Sequence, residues 1–223
     1  MPRRARVSVG NFVYHCINRS NGRQKIFSTD KDYEHFISLL LEAKDLIDMR
    51  ILAYCVMPNH WHLLLYPKNE NDMGEFMRWV TTTHVRQRRV LTKTVGYGHL
   101  YKDAYKSFLV EKDEYLRWVI RYIEQNPLRA GLVKRAEDWK WSSLYVREKE
   151  SEKKKKLLSN SPIALEKNYL HSVNTIIKKD DLEKIRYSVN KGKPYGSDKW
   201  SNYMIEKYDL KSTIRGAGRP KKN

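Results

Sequence analysis

The chain has 223 residues, of which 40% are hydrophobic, so it is not a disordered protein and is long enough for one or two domains with buried cores. Its two cysteines argue against a disulfide scaffold, and neither a signal sequence nor a membrane-spanning run is visible, which predicts a cytoplasmic protein without a membrane partner. The formal net charge of +18 indicates a polyanionic partner, and nucleic acid is the first candidate.

The N-terminal region begins with a short basic arm that contains Arg3, Arg4 and Arg6. Such an arm is either a solvated terminus or a segment that lies along phosphates. Residues 11–18 alternate in polarity, which predicts the first strand. His15 lies within it, and we interpret it as a structural residue and only a weak candidate for a site.

Residues 51–67 are almost wholly apolar and are interrupted by Pro58-Asn59, which predicts two buried strands joined by a tight turn. Side chains alternate along a strand, so His60 and His62 share one face, about 6–7 Å apart, while Trp61 points into a core. Two imidazoles at this spacing can bind one divalent metal ion, or they are polar residues on a solvated face. The spacing does not identify a metal.

Helices are predicted over residues 30–48 and 72–92, and a fourth strand over residues 105–110. The order strand, helix, strand, strand, helix, strand predicts an α+β fold of the ferredoxin-like or RRM-like type. That fold is an antiparallel sheet with helices on one face, so the other face is free to hold a site. The second helix carries an arginine cluster that is either a solvated face or a phosphate contact: Arg78, Arg86, Arg88 and Arg89.

A further helix is predicted over residues 114–125, capped by Asp113 and ended by Pro127. Tyr122 and Asn126 are four residues apart and therefore lie side by side at the end of this helix. A tyrosine at such a position is ordinarily a packing residue.

The C-terminal third is more basic and less regular. Residues 147–160 include four consecutive lysines, Lys153–Lys156, and we interpret them as a basic linker. Residues 161–223 are predicted to form a helical basic extension, with helices over 161–178, 180–190 and 199–208 and a basic tail.

Five blocks of the sequence occur in an order typical of one family: PRRARVSVGNFVYHCINRSNGRQKIF, AYCVMPNHWHLLL, GHLYKDAYKSFLV, YIEQNPLRAGLV and GRPKK. In these blocks the chain resembles the REP-associated tyrosine transposases, a bacterial group within the single-tyrosine HUH (His-hydrophobic-His) transposases. The resemblance implies that residues 1–146 form a transposase domain with the HUH endonuclease fold. It also implies a cytoplasmic, nucleoid-associated protein that is a monomer or a homodimer.

The same resemblance implies roles for particular residues. Tyr122 corresponds to the nucleophile, and His60, His62 and Asn126 correspond to the ligands of Mg²⁺ or Mn²⁺. Some relatives carry glutamine at the position of Asn126. Tyr115 is the competing nucleophile, but it has no polar partner four residues later.

The implied activity is that of a metal-dependent single-stranded DNA endonuclease and strand transferase, which acts on hairpin-bearing DNA through a 5′-phosphotyrosine intermediate. Residues expected to bind DNA are Arg3, Arg4, Arg6, Lys102, Lys106, Arg121, Arg219 and Lys221. Two alternatives remain: a non-catalytic module of the same fold that binds hairpin DNA or RNA, and a replication-initiator nickase. The second is less favoured, because those relatives often carry a pair of tyrosines in the nucleophile helix and Tyr115, seven residues from Tyr122, is too far away to form an obvious pair.

Overall fold

The computed structural model describes residues 6–96, 98–150 and 156–215. Its strands and longer helices are, in chain order, β1 (Val13–Arg19), α1 (Asp30–Ile47), β2 (Arg50–Met57), β3 (His60–Tyr66), α2 (Asp72–Leu91), β4 (Lys106–Val110), α3 (Glu114–Glu124), α4 (Asn126–Arg129), α5 (Ser143–Lys149), α6 (Tyr169–Asn174), α7 (Lys179–Lys191) and α8 (Asp198–Lys207). The four strands form one antiparallel sheet in the order β2-β3-β1-β4. The predicted α+β class and element order are confirmed.

Helix boundaries follow local capping chemistry. The Thr29 hydroxyl accepts a hydrogen bond from the Asp32 backbone N–H, and the Asp32 carboxylate accepts one from the Thr29 N–H, so α1 begins with a capping box. At the start of α3, the Asp113 carboxylate accepts from the Tyr115 N–H. The sequence predicted Asp113 as the cap of α3 and either Thr29 or Asp30 as the cap of α1, because Asp and Thr side chains satisfy the unpaired N–H groups of a first turn.

One face of the sheet is covered by α1 and α2. Trp61 and Phe36 are fully buried in the apolar cluster between them. The Trp61 indole N–H donates to the Tyr101 hydroxyl at 3.0 Å, and the same hydroxyl lies 2.7 Å from His84 Nδ1. The large polar rings of this face are therefore hydrogen-bonded within the core.

The opposite face carries α3. The apolar stripe of this helix joins a second buried cluster that includes residues from the strands and from the C-terminal extension. Its members in α3 are Leu116, Val119, Ile120 and Ile123. The face expected to be free for a site is thus largely covered, and the groups that remain at least partly accessible include Arg19 at the end of β1 and His60 at the start of β3.

The C-terminal extension packs on the sheet rather than apart from it. The Tyr195 N–H donates to the Leu109 carbonyl at 2.8 Å, and the Glu111 N–H donates to the Tyr195 carbonyl at 3.0 Å, so residue 195 pairs with the edge of β4. In the predicted linker, Leu157 is buried and the Ser159 N–H donates to the Ile51 carbonyl. Lys153 to Lys155 lie outside the described residues.

The helix predicted over 161–178 is wrong except for α6, whereas α7 and α8 confirm the other two. Residues 161–168 are irregular and place Ile163 and Leu165 against the second cluster without helical structure. At the other end, the side chains of Asn174 and Thr175 donate to backbone carbonyls one turn earlier, which competes with continuation of the helix. None of the helices in the described ranges is both long and apolar enough to cross a membrane.

Candidate active site

The two histidines of β3 share one face of the sheet, as their spacing predicts, and this is the face that carries α3. Their ring centroids are 5.1 Å apart, and Trp61 between them belongs to the opposite cluster. In the strand register His60 pairs with Arg19 and His62 pairs with Ile17. The period of two along β3 therefore places both imidazoles beside the end of β1.

Each of these imidazoles uses its Nδ1 atom for a local contact. His60 Nδ1 lies 2.6 Å from Asn59 Oδ1, to which it must donate, and His62 Nδ1 lies 2.9 Å from His15 Nε2. Burial lowers the pKa of His60 to about 4, with a smaller effect from Arg19, and burial lowers the pKa of His62 well below its usual range. Both rings are neutral at pH 7, which is the form that binds a metal ion.

The packing of α3 brings Tyr122 to the same place. Its ring lies edge-on to His62, with centroids 5.8 Å apart, and 6.2 Å from the ring of His15. The side chain is 6% exposed. Burial raises the pKa of Tyr122, and the positive charges of Arg129, Arg186 and Arg19 oppose that rise. The phenol is therefore protonated at pH 7.

Helix α3, which carries Tyr122, is held by a buried polar network. The Glu124 carboxylate accepts hydrogen bonds from the Ser143 hydroxyl, from Arg147 and from the Tyr169 hydroxyl. The Gln125 side-chain amide donates to the Val173 carbonyl at 2.6 Å. These contacts join the end of α3 to α5 and α6, so the position of Tyr122 depends on the C-terminal extension.

Asn126 lies next to Tyr122, as predicted, and its side chain closes the end of α3. Its Nδ2 donates to the carbonyls of Tyr122 and Ile123, and its Oδ1 accepts from Arg129 at 2.7 Å. An amide oxygen has two lone pairs, so one remains for a metal ion. Within the described residues there is no cluster of three or more His, Cys, Asp or Glu side chains suited to a metal. The ligand set that the resemblance implies, the two imidazoles and this oxygen, stays a prediction, and imidazole also suits Zn²⁺ or Ni²⁺.

Two residues of the site, Arg129 and Arg19, were not predicted from the sequence, and a third, His15, was only a weak candidate. Arg129 lies over the Tyr122 ring, 4.3 Å from its centroid, and donates to the Tyr122 carbonyl. Arg19 is exposed beside His60. His15, predicted to be structural, is fully buried and stacks on His62 at 5.1 Å, and its Nδ1 has no hydrogen-bond partner. The alternation of β1 could have indicated Arg19, because it shares a face with His15 and Ile17.

The predicted DNA-binding residues fall in several places. Arg3, Arg4, Arg219 and Lys221 lie outside the described residues. Arg6 donates to the Tyr105 carbonyl and lies over the Tyr105 ring. Lys102 and Lys106 line a cleft of about 170 Å³ together with Arg19.

Arg121 contacts protein groups in the described structure. Its Nη2 donates to the Thr175 carbonyl at 2.8 Å, and its guanidinium lies 5.3 Å from the Trp118 ring. Tyr115, the competing nucleophile, packs edge-on against Tyr195, with centroids 5.3 Å apart. This contact places Tyr115 beside the edge of the sheet formed by β4 and residue 195, whereas Tyr122 lies beside the histidine pair.

Comparison with known proteins places these residues in a family. The model of the family described as Transposase IS200 like matches residues 8–126, which include the histidine pair, Tyr122 and Asn126. A REP-associated tyrosine transposase of Escherichia coli K12 is 22% identical over 137 residues, which cover 61% of this chain and 78% of that protein. A second relative, from Haemophilus influenzae, is 26% identical over 131 residues, covering 55% of this chain and 74% of the relative.

The fold agrees with a solved structure of the same kind. A REP-associated tyrosine transposase bound to a REP hairpin matches with a TM-score of 0.54 and 19% sequence identity, covering 65% of this chain and 84% of that chain. At this identity the likeness concerns the fold. Since the family model spans more than half of the sequence and contains every residue of the predicted metal and nucleophile set, the chain belongs to the IS200-like transposase family.

Proposed function

We propose that the protein is a metal-dependent endonuclease and strand transferase for single-stranded DNA that carries a hairpin, with Tyr122 as the nucleophile. The observation that carries this proposal is the position of the Tyr122 ring against His62 in one chain, 5.8 Å between centroids, among the charges of Arg129, Arg186 and Arg19. A related fold bound to a REP hairpin supports a hairpin as the substrate.

The proposed chemistry is a reversible transfer of one phosphoester. The Tyr122 oxygen attacks the phosphorus, the bond from phosphorus to the 3′ oxygen breaks, and a 5′-phosphotyrosine and a 3′-hydroxyl result. The phenol proton is released, and the departing 3′ oxygen takes up a proton from water. Attack by a second 3′-hydroxyl reverses the step and joins strands without ATP, because the covalent intermediate keeps the energy of the phosphoester.

The residues that would hold Mg²⁺ or Mn²⁺ are His60, His62 and Asn126, the first two through Nε2. When bound, the ion polarises the phosphate oxygens and stabilises the negative charge that develops on them. The ring of Tyr122 is held in place by Arg129, which lies over it and bonds to the backbone carbonyl. Arg19 is exposed and can donate to a phosphate oxygen beside His60.

The proposed attack depends on whether the Tyr122 phenol has lost its proton. The phenolate is the attacking form, and burial disfavours it. Positive charge from the three nearby arginines, and from a bound metal ion, favours it. The proposed assembly is a monomer or a homodimer. Cytoplasmic and nucleoid-associated localisation remains part of the proposal.

The direct test uses a labelled hairpin oligonucleotide with an unpaired foot, incubated with the protein and Mn²⁺ and run on a denaturing gel. We expect a slowly migrating covalent adduct that is absent with EDTA and absent for Tyr122→Phe. Tyr115→Phe is the matched control from the same helix and should form the adduct at the wild-type level. An adduct that survives in Tyr122→Phe and disappears in Tyr115→Phe would reverse the assignment.

The histidine pair is tested in the same assay. We expect His60→Ala combined with His62→Ala to abolish the adduct while hairpin binding without metal persists. Cutting by this double variant at the wild-type rate would disprove the proposed metal site.

The second candidate is a non-catalytic module that binds hairpin DNA or RNA. The low exposure of Tyr122, 6%, and the bond between Arg129 and the Asn126 oxygen favour it, because both restrict access to the reacting groups. Tight, salt-sensitive binding of the hairpin without any adduct under the conditions above would support this candidate.

A further inference from the structure

A basic groove runs along α2, on the face of the sheet away from Tyr122. Its volume is about 940 Å³, and it lies between α2 and residues 98–105. Its basic side chains are Arg6, Arg78, Arg86 and Lys102. Asp103 is the one acidic residue among the described residues that line it. The balance of charge suits an anionic ligand.

The arginines of α2 divide into two kinds. Arg88 forms an ion pair with Asp32 at 2.7 Å, and Arg89 donates to the carbonyls of Thr94 and Gly98, so both stabilise the protein itself. Arg78 and Arg86, by contrast, are exposed and lie in the groove. They are eight residues apart, which on a helix is about 12 Å along the axis, or the axial rise of three to four base pairs.

Between these two arginines lies Thr82, whose exposed side chain follows the same helical stripe at intervals of four residues. Guanidinium and hydroxyl groups are the usual donors to phosphate oxygens. Of the aromatic residues that line the groove, Tyr101 and Tyr105 are buried and offer no ring face for stacking bases, which leaves the small imidazole of the exposed His99. This arrangement suits the phosphate backbone of a duplex better than it suits unpaired bases, which are held mainly by stacking.

The wall of the groove is connected to the active site through the backbone. The Lys102 N–H donates to the Arg19 carbonyl at 2.9 Å, and the Asn21 N–H donates to the Leu100 carbonyl at 2.9 Å. Asn18 and Lys102 line both the groove and the cleft that contains Arg19. A basic surface thus continues from α2 past the end of β1 to His60, which pairs with Arg19.

We propose that this groove binds the phosphate backbone of the double-stranded stem of the hairpin, while the unpaired strand continues past Asn18 and Arg19 to Tyr122. The inference rests on the proposed function for the identity of the DNA, and it assigns a separate surface to the stem. Arg78 and Arg86 are its principal contacts. The groove determines affinity for the stem, and the residues around Tyr122 determine the chemistry.

The test measures binding alone, in the Tyr122→Phe background with EDTA, so that no covalent step contributes. The affinity of a fluorescent DNA hairpin with an unpaired foot is measured by anisotropy over a range of salt concentrations. Arg78→Gln combined with Arg86→Gln is compared with Lys167→Gln combined with Lys178→Gln, which removes the same charge from exposed positions outside the groove. The unpaired foot alone is the second ligand.

Loss of two phosphate contacts should weaken hairpin binding by roughly 10- to 30-fold near 0.15 M salt and reduce the slope of log K against log salt by about 2. The control pair should change both quantities little, and the foot alone should bind the groove variant as it binds the parent. Equal behaviour of the groove and control variants would overturn the inference, and so would an equal loss with the foot alone. If the parent did not bind the hairpin at all, the proposed function itself would fail.

Discussion

The two faces of the sheet use the same strands for different purposes. On the face covered by α1 and α2, Trp61 is fully buried among apolar rings, and its polar atom bonds to Tyr101. On the face covered by α3, His62 contacts His15, Tyr122 and the ring of His60. Adjacent residues of β3 therefore differ in role: Trp61 packs in the core, and the histidines beside it are the proposed metal ligands. The first face therefore stabilises the register that the second face needs.

The largest loss of stability is expected when Trp61, on the face covered by α1 and α2, is replaced. Trp61→Ala should lower the free energy of unfolding by about 3–5 kcal/mol, because it opens a large cavity and leaves Tyr101 without the indole donor. Urea denaturation of the variant measures the change. Trp79→Ala is the control, since Trp79 is only partly buried and should cost clearly less. Equal losses for the two tryptophans would contradict the central role of Trp61.

On the other face, after the proposed nucleophile and the proposed metal ligands, the largest effect on adduct formation is expected at Arg129. Arg129→Gln removes a positive charge that lowers the pKa of Tyr122, so the pKa should rise and the rate of adduct formation should reach its maximum at higher pH. We expect the rate near pH 7 to fall roughly 10- to 100-fold, equivalent to about 1.4–2.7 kcal/mol. The measurement is the pH profile of single-turnover adduct formation.

Two comparisons separate charge from packing in this experiment. Arg129→Lys keeps the charge and should recover much of the wild-type pH profile even if the rate stays low. Lys134→Gln removes an exposed charge shortly after α4 and should leave the profile unchanged. A profile that does not move in Arg129→Gln would show that Arg129 acts only through its hydrogen bonds to Tyr122 and Asn126.

Local rules in the sequence predicted much of this arrangement. Period two placed His60 and His62 on one face, and capping chemistry placed the start of α1 and α3. The pairing of Arg19 with His60 was not predictable in this way, because strand register depends on contacts between distant parts of the chain. Arg129 was missed for another reason. Pro127 was expected to end a helix, and it also lies in the first turn of the short helix α4, which turns Arg129 back over Tyr122.

A smaller effect is expected from replacement of His15. The experiment tests whether His15 orients His62, a proposed metal ligand. Donation from His62 Nδ1 to His15 Nε2 would leave His62 Nε2 for the ion. His15→Phe keeps an aromatic ring beside Phe108 but removes the acceptor, and it should weaken Mn²⁺ binding by about tenfold in an EPR titration. Unchanged Mn²⁺ affinity would show that His15 only fills space. His84→Gln alters a buried histidine on the other face and should leave Mn²⁺ affinity unchanged.

The smallest effect concerns how the free energy of unfolding changes with pH. We expect part of this change to come from His84, on the face covered by α1 and α2. Burial lowers the pKa of His84 to about 3, whereas the same group in the unfolded chain has a pKa near 6.5. As the pH falls below about 6.5, the unfolded chain takes up this proton first, so the contribution of His84 to stability is complete above that pH and is lost towards pH 3. His84→Gln keeps a polar partner for Tyr101 and does not titrate, so its free energy of unfolding should fall less steeply between pH 6.5 and 4. Parallel curves for the variant and the wild type would mean that acid sensitivity comes from the histidines of the other face, where burial lowers the pKa values of His15 and His60 as well.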